Sequence, residues 1–236
     1  LATGKTIFYP RKYFFFFGVE KALRSWFARD RFCSLRAGHN ARNRRDIWTG
    51  EYVKRMNDCI EIDGSKLLAE QDVQSPPGLL RENGLLDIGF DGAQIWNRRV
   101  YSVTFMVARP WDIPYEDRGK AEFTKLIGII PGPNEGTFEQ NRTTFMRPFV
   151  EEMQLLGREG ITINDTYFKR EYTTRWFLAT VSADTPARNH LGGFMGVMAH
   201  MADWRSIFRG KSYTNAGQGT YFTGYHETIR QYGKDV

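Results

Sequence analysis

The chain has 236 residues, enough to bury a sizeable core, and suits one large domain or one domain with an extension rather than two equal ones. Lys and Arg number 33 against 27 acids, giving a net charge of +6 and a pI near 9.3, an excess that suits a polyanionic partner without requiring one. Its two cysteines, Cys33 and Cys59, show no Cys-x-x-Cys spacing, which excludes a disulfide framework and a cysteine zinc site and makes a reducing compartment the default.

The apolar run "YFFFFGV" at 13–19 is far below the roughly 20 residues of a membrane-spanning helix and is flanked by Arg11, Lys12, Glu20 and Lys21, so no membrane span is expected. The first residue is Leu1 rather than Met, which reads as a processed product or part of a longer polypeptide. The stretch "GVEKALRSWFARDRF" then places Val19, Leu23, Trp26 and Phe27 near one helical face. From Lys21 to Arg45 there are eight basic residues and one acid, Asp30. Lys21, Arg24, Arg29, Arg31, Arg36, Arg42, Arg44 and Arg45, interleaved with aromatic residues that include Trp48, are the candidate nucleic-acid contacts; a solvated helix face and loop is the alternative. His39, in the same region, is expected to make a loop contact.

Between 57 and 83 the turn signals "DGSK", "QDVQSPPG" and "RENG" place a boundary near Gly78. The expected organisation is thus a basic helical and loop region at 1–77 and an α/β domain at 78–236. In that second unit "GLLDIGFDG" (84–92), "RRVYSVTFMVARP" (98–110) and "EFTKLIGIIPGP" (122–133) read as three strands, the last two stopped by proline. A helix follows, with Phe145, Phe149, Met153 and Leu156 on one face, and then a fourth, largely apolar strand, "EYTTRWFLATVSAD" (171–184).

Three consecutive strands suggest an antiparallel meander, and a helical crossover returns the fourth strand beside the first, parallel to it. The ends of those two strands carry Asp91 and Asp184. Two carboxylates so placed are hard oxygen donors suited to Mg²⁺ or Mn²⁺, and a pair of such ions can activate water in phosphodiester cleavage. An aspartate before Gly or Pro is equally an ordinary turn starter. The "PGPNEG" turn lacks the Lys-Ser or Lys-Thr ending of a phosphate-binding loop and reads as punctuation.

The segments "FFFFGVEKALRSWFARDRF", "IGFDGAQIW", "YSVTFMVARP", "LIGIIPGPNEG", "RPFVEEMQLL" and "VSADTPARNHLGGF" together resemble CACTA-type DNA transposases, in particular divergent algal and fungal versions. The resemblance runs from about Phe14 to the end. It implies a ribonuclease-H-like mixed sheet of strand-strand-strand-helix-strand order behind a basic helical extension, with Asp91 as first acid and Asp184 as second. The chain departs from the family at 192–212, where a Cys-x-x-Cys knuckle is expected and Asp203 and Ser206 stand at the cysteine positions. With two thiolates gone, His200 and Asp203 give too few ligands for a structural zinc. A third acid on a downstream helix has no counterpart in context, only Glu227 and Asp235.

The expectation is therefore a degenerate or truncated transposase, more a nucleic-acid-binding or structural module than an enzyme. It needs no cofactor unless catalytic, when Mg²⁺ or Mn²⁺ would serve. RNA is favoured over DNA, in an assembly with other proteins such as an organellar ribosome, which points to the mitochondrion or another organelle, with the nucleus as alternative. A fragment of a metal-dependent transposase or nuclease using Asp91 and Asp184 is the second reading, and a protein scaffold the third.

Overall fold

The computed structural model describes residues 13–39, 47–53, 55, 61–62, 65–66, 83–94, 102–131, 136–184, 187–188, 191, 211–212 and 220–221. Its centre is a five-stranded mixed sheet, making the chain an α/β protein. The strands and helices run β1 (Phe15–Phe16), α1 (Val19–Phe27), α2 (Asp30–Gly38), β2 (Glu61–Ile62), β3 (Ser65–Lys66), β4 (Gly84–Gln94), β5 (Ser102–Pro110), α3 (Tyr115–Arg118), β6 (Lys125–Pro131), α4 (Gly136–Arg158), β7 (Ile161–Asp165), β8 (Arg170–Thr174), β9 (Trp176–Ala183), β10 (Lys211–Ser212) and β11 (Thr220–Tyr221). In the sheet the order is β1-β6-β5-β4-β9. Strands β4, β5 and β6 form an antiparallel meander, and β9 returns parallel to β4 after α4, with Gly84 opposite Trp176 and Phe90 opposite Ala183.

Alternation along β4 explains how the sheet is covered. Leu86, Ile88 and Phe90 join Met106, Ala108 and Ile127 in one core with Val19, Leu23, Trp26 and Phe27 of α1, Phe32 of α2 and Phe149 and Leu156 of α4. Phe145 and Met153 pack against that core, so the helical face read from the sequence is the one α4 buries. On the other face Leu85, Phe177 and Ala179 form a smaller cluster with Trp48 and Val53.

Over residues 13–39 the basic N-terminal region is not an appendage. Phe15 and Phe16 extend the sheet by pairing with Ile129 and Gly128 of β6, and α1 and α2 contribute to the main core. The start of α1 is held from across the chain: both carboxylate oxygens of Glu152 on α4 accept the amides of Val19 and Glu20, at 2.7 and 3.0 Å. That satisfies two donors a helix N-terminus leaves unpaired and places a negative charge at the positive end of its dipole. The turn before it needs Gly18, at φ +91°.

The fourth predicted strand divides in two. Residues 170–174 form β8, hairpin partner of β7 outside the central sheet, and the sheet strand begins only at Trp176. The break falls at Arg175, whose amide donates to the Asn83 side chain at 3.1 Å instead of continuing the β7–β8 ladder.

Two weak acids, Cys33 within α2 and Tyr172 on β8, tie stability to pH. Burial pushes the Tyr172 hydroxyl up, with the nearby Arg36 charge opposing and Asp165 adding to it; burial likewise pushes the Cys33 thiol up, against a hydrogen bond with Thr166. Both are held protonated more tightly folded than unfolded. Their contribution is complete below the ordinary thiol value of about 8.5 and is lost as pH rises through the raised folded values. The denaturation midpoint is expected to fall as pH rises above about 8.5, with a shallower fall in Tyr172→Phe; a midpoint equally steep in both proteins would contradict the assignment.

Candidate functional site

Asp91 and Asp184 meet at one end of the sheet. The parallel register closes with Phe90 opposite Ala183, so each aspartate is the residue next after the last paired one, Asp91 within β4 and Asp184 just past β9, and both are exposed. Asp91 continues β4 opposite Phe105 of β5. Asp184 has structural work: its Oδ1 accepts the Ala187 amide at 2.8 Å and its carbonyl accepts the Arg188 amide at 2.9 Å, and residues 187, 188 and 191 are helical. This is helix N-capping by a side-chain oxygen. Two adjacent carboxylates fit the needs of a single Mg²⁺, which keeps most of its waters. Among the described residues no group of three or more His, Cys, Asp or Glu is arranged to hold a metal ion.

The capping role yields a direct expectation. Asn caps as well as Asp, so Asp184→Asn should leave stability and partner binding nearly unchanged, while Asp184→Ala should lower stability by about 1 kcal/mol. Chemical denaturation of the two variants checks this; equal losses in both would remove the capping assignment.

A third carboxylate, Asp87, is the hub of this face and was not singled out from the sequence. It is nearly buried, at 4% exposure, and Oδ1 accepts the hydroxyls of Thr180 at 2.6 Å and Ser182 at 2.8 Å, while Oδ2 pairs with Arg109 Nη2 at 2.5 Å. Trp111 Nε1 donates to Thr180 Oγ1 at 2.9 Å, completing a chain from indole through hydroxyl to carboxylate. A bulge between Leu86 and Asp87 sets Asp87 opposite Thr180, so that it shares a face with Gly89 and Asp91 on one strand and with Ser182 on the next. The period-2 spacing of Asp87 and Asp91 in "LDIGFD" was the available signal.

Beside this hub lies a pocket of about 410 Å³, lined among others by Asp87, Arg109, Trp111, Tyr115, Glu116 and Ser182. Arg118 forms part of its wall, with its guanidinium 4.6 Å from the centre of the Trp111 ring and its Nε donating to the Ile113 carbonyl at 2.8 Å. Positive and negative groups are balanced here, and the carboxylate of Asp87 is already spoken for. The pocket is thus a polar recess with an aromatic wall rather than a cluster of unneutralised acids.

No protein-family model matches this sequence, and no curated protein matches it.

The basic region expected to contact nucleic acid is only partly a surface. Arg36 is 6% exposed and belongs to the core: Nε faces Asp112 Oδ2 at 3.2 Å and Nη1 donates to the Tyr172 hydroxyl at 2.8 Å. Trp48 is fully buried, with Nε1 donating to the Trp111 carbonyl at 3.0 Å, so it offers no stacking face. Both expectations are corrected by burial, which a count of charges and rings along the chain does not register. Trp26, Phe27 and Phe32 are buried as well.

Lys21, Arg24, Arg29 and Arg31 are exposed. Arg24 is bonded to Glu20 and to the Thr162 carbonyl, and Arg31 pairs with Glu122 at 2.9 Å. Lys21 and Arg29 form no ion pair among the described residues. His39 lies 3.4 Å from Arg118 Nη2. Arg42, Arg44, Arg45, His200, Asp203, Ser206, Glu227 and Asp235 lie outside the described residues, as does the segment 192–210 of the altered knuckle.

Proposed function

We propose that this chain is a nucleic-acid-binding module, built on a ribonuclease-H-like domain derived from a transposase and not itself a strand-transfer enzyme. The observation that carries the reading is a positive patch at the α1–α2 junction. Arg29 is exposed and forms no ion pair among the described residues, and beside it burial and then the Arg29 charge lower the Lys125 pKa, with Glu122 opposing. The exposed Arg29 near the half-buried Lys125, with Lys21 exposed on the adjoining helix, suits a phosphate backbone. The ribonuclease-H-like assignment draws support from the strand order β6-β5-β4-β9 with α4 before the parallel strand. Support for a non-catalytic role comes from Asp184, whose carboxylate caps a helix.

RNA within a large ribonucleoprotein, such as an organellar ribosome, is the partner this reading favours. Affinity for a labelled RNA is expected to fall steeply with salt, with a log-log slope on the order of 0.7 per phosphate contacted, and Arg29→Ala with Lys125→Ala should flatten it. The native protein should also co-sediment with ribonucleoprotein particles. Absence of any affinity for RNA or DNA at low salt would end the proposal and leave a protein scaffold as the better account.

The juxtaposition of Asp91 and Asp184 favours a second reading, a fragment of a metal-dependent transposase or nuclease. Under it Asp91 and Asp184 would hold a Mg²⁺ or Mn²⁺ ion, which supplies activation of water for phosphodiester cleavage. Divalent-dependent nicking of DNA that disappears in Asp91→Asn would establish this reading over the first.

A further inference from the structure

The aromatic residues interleaved with the basic ones in sequence are all turned inward, yet the fold brings a different aromatic pair to the same place. The turn of the β7–β8 hairpin is fastened to the α1–α2 junction: Thr166 Oγ1 donates to the Phe27 carbonyl at 3.2 Å, two residues before Arg29. Along the hairpin, Arg24 of α1 donates to the Thr162 carbonyl at 3.0 Å. Immediately beyond Thr166 stand Tyr167 and Phe168, 52% and 37% exposed, with ring centres 4.9 Å apart and planes nearly perpendicular. Lys169 and Arg170 follow, both exposed, and the Arg170 guanidinium lies 4.8 Å from the Tyr172 ring centre and 5.8 Å from that of Phe168.

The display is rigid. Asp165, fully buried, accepts the amides of both Tyr167 and Phe168 on Oδ1 at 3.0 Å, and the turn closes through Lys169 in the left-handed region at φ +49°. Exposed aromatic rings cost little conformational entropy to dock when their backbone is already fixed. An aromatic pair beside Lys169 and Arg170, on a turn fastened two residues from Arg29, combines stacking surface with phosphate-binding charge.

We infer that the tip of the β7–β8 hairpin, with the α1–α2 junction, is a binding site for single-stranded nucleic acid, in which unpaired bases stack on Tyr167 and Phe168 while Arg29 and Lys169 hold the phosphates. Charge complementarity selects this occupant: Arg29, Lys169 and Arg170 form no ion pair among the described residues, and a neutral apolar partner would leave them without counter-charge. Stacking needs a free base face, which a duplex does not offer. The inference rests on the nucleic-acid reading above and narrows it to strands with unpaired bases.

The test uses the full chain with a fluorescent 20-nucleotide oligouridine and an RNA duplex of equal length, titrated at two salt concentrations. Single-strand binding is expected to be the tighter, and Tyr167→Ala/Phe168→Ala should weaken it on the order of tenfold or more with duplex binding and salt slope unchanged. Arg29→Ala should instead reduce the salt slope for both. Because both rings are exposed, the double variant is expected to keep its denaturation midpoint, and a leucine pair at the same positions, which restores apolar area without stacking, should fail to recover affinity. If the parent binds strand and duplex but the double variant loses nothing, or loses both equally, the hairpin site is wrong and the broader reading stands. If the parent binds neither, both fall.

Discussion

Arg36→Met is expected to destabilise the fold by about 3–5 kcal/mol, the typical cost of removing one partner of a buried ion pair. The side chains of Arg36 and Asp112 are 2% and 1% exposed. Burial works against the guanidinium charge, but Tyr172 and Asp112 more than compensate and hold its pKa above the ordinary arginine value. Nη2 donates to the Asn83 carbonyl at 3.3 Å, and the group lies over the rings of Phe27 and Trp176 at 5.3 and 5.7 Å. Methionine preserves much of the bulk but leaves the Asp112 carboxylate uncompensated beside the Leu85 amide, its remaining donor among these bonds, at 3.3 Å. Arg36→Met/Asp112→Asn, which removes the stranded charge, should recover part of the loss. A single variant within 1 kcal/mol of the parent by urea denaturation would show that the pair matters less than its burial implies.

Trp176→Ala should cost a similar amount, about 3–5 kcal/mol. The ring is fully buried at the start of β9, edge-on to Phe27 at 6.0 Å, and roofs the position where β4 begins. Its Nε1 has no hydrogen-bond partner among the described residues, so Trp176→Phe sacrifices volume alone and should be markedly milder. The opposite change at the facing position is also informative. A methyl at Gly84 would lie 2.7 Å from the Trp176 ring and 2.5 Å from Asp112 Oδ2, so Gly84→Ala overfills the site, at about 1–3 kcal/mol. With the indole removed, the Gly84 change should become less costly, because one of the two clashes is gone. Strict additivity in this cycle would mean that the ring and the glycine do not share a space.

The central strands and α4 were legible because their signals are local: apolar runs, proline stops and one helical stripe. Strand β9 was legible in direction and partner, since a helical crossover leaves few alternatives. Its beginning was not. "EYTTRWFLATVSAD" carries no Gly or Pro, and the break at Arg175 is made by Asn83, far away in sequence. Arg36 and Trp48 failed for the same kind of reason. What buries them is Asp112 and the Trp111 carbonyl, and no pattern around 36 or 48 announces those partners. Asp87 lies within β4 rather than at a strand end, and the Thr180, Ser182 and Arg109 groups that make it a hub are distant in sequence. Tyr167 and Phe168 were invisible as a site, since contacts distant in sequence, such as the Thr166 bond to Phe27, join their hairpin to the basic helices.

The parallel pairing of β4 with β9 also sets a timetable for the nascent chain. Strands β4, β5 and β6 can pair as soon as they are made, but the neighbour that covers the other side of β4 arrives only after α4 and the β7–β8 hairpin. Throughout that interval α1, synthesised before these strands, must keep Val19, Leu23, Trp26 and Phe27 from other hydrophobic surfaces, and its N-terminal amides wait for Glu152. Contacts so distant in sequence slow folding, because loop closure precedes the reward. A chain truncated before residue 152 should therefore be a client of chaperones rather than a smaller folded protein.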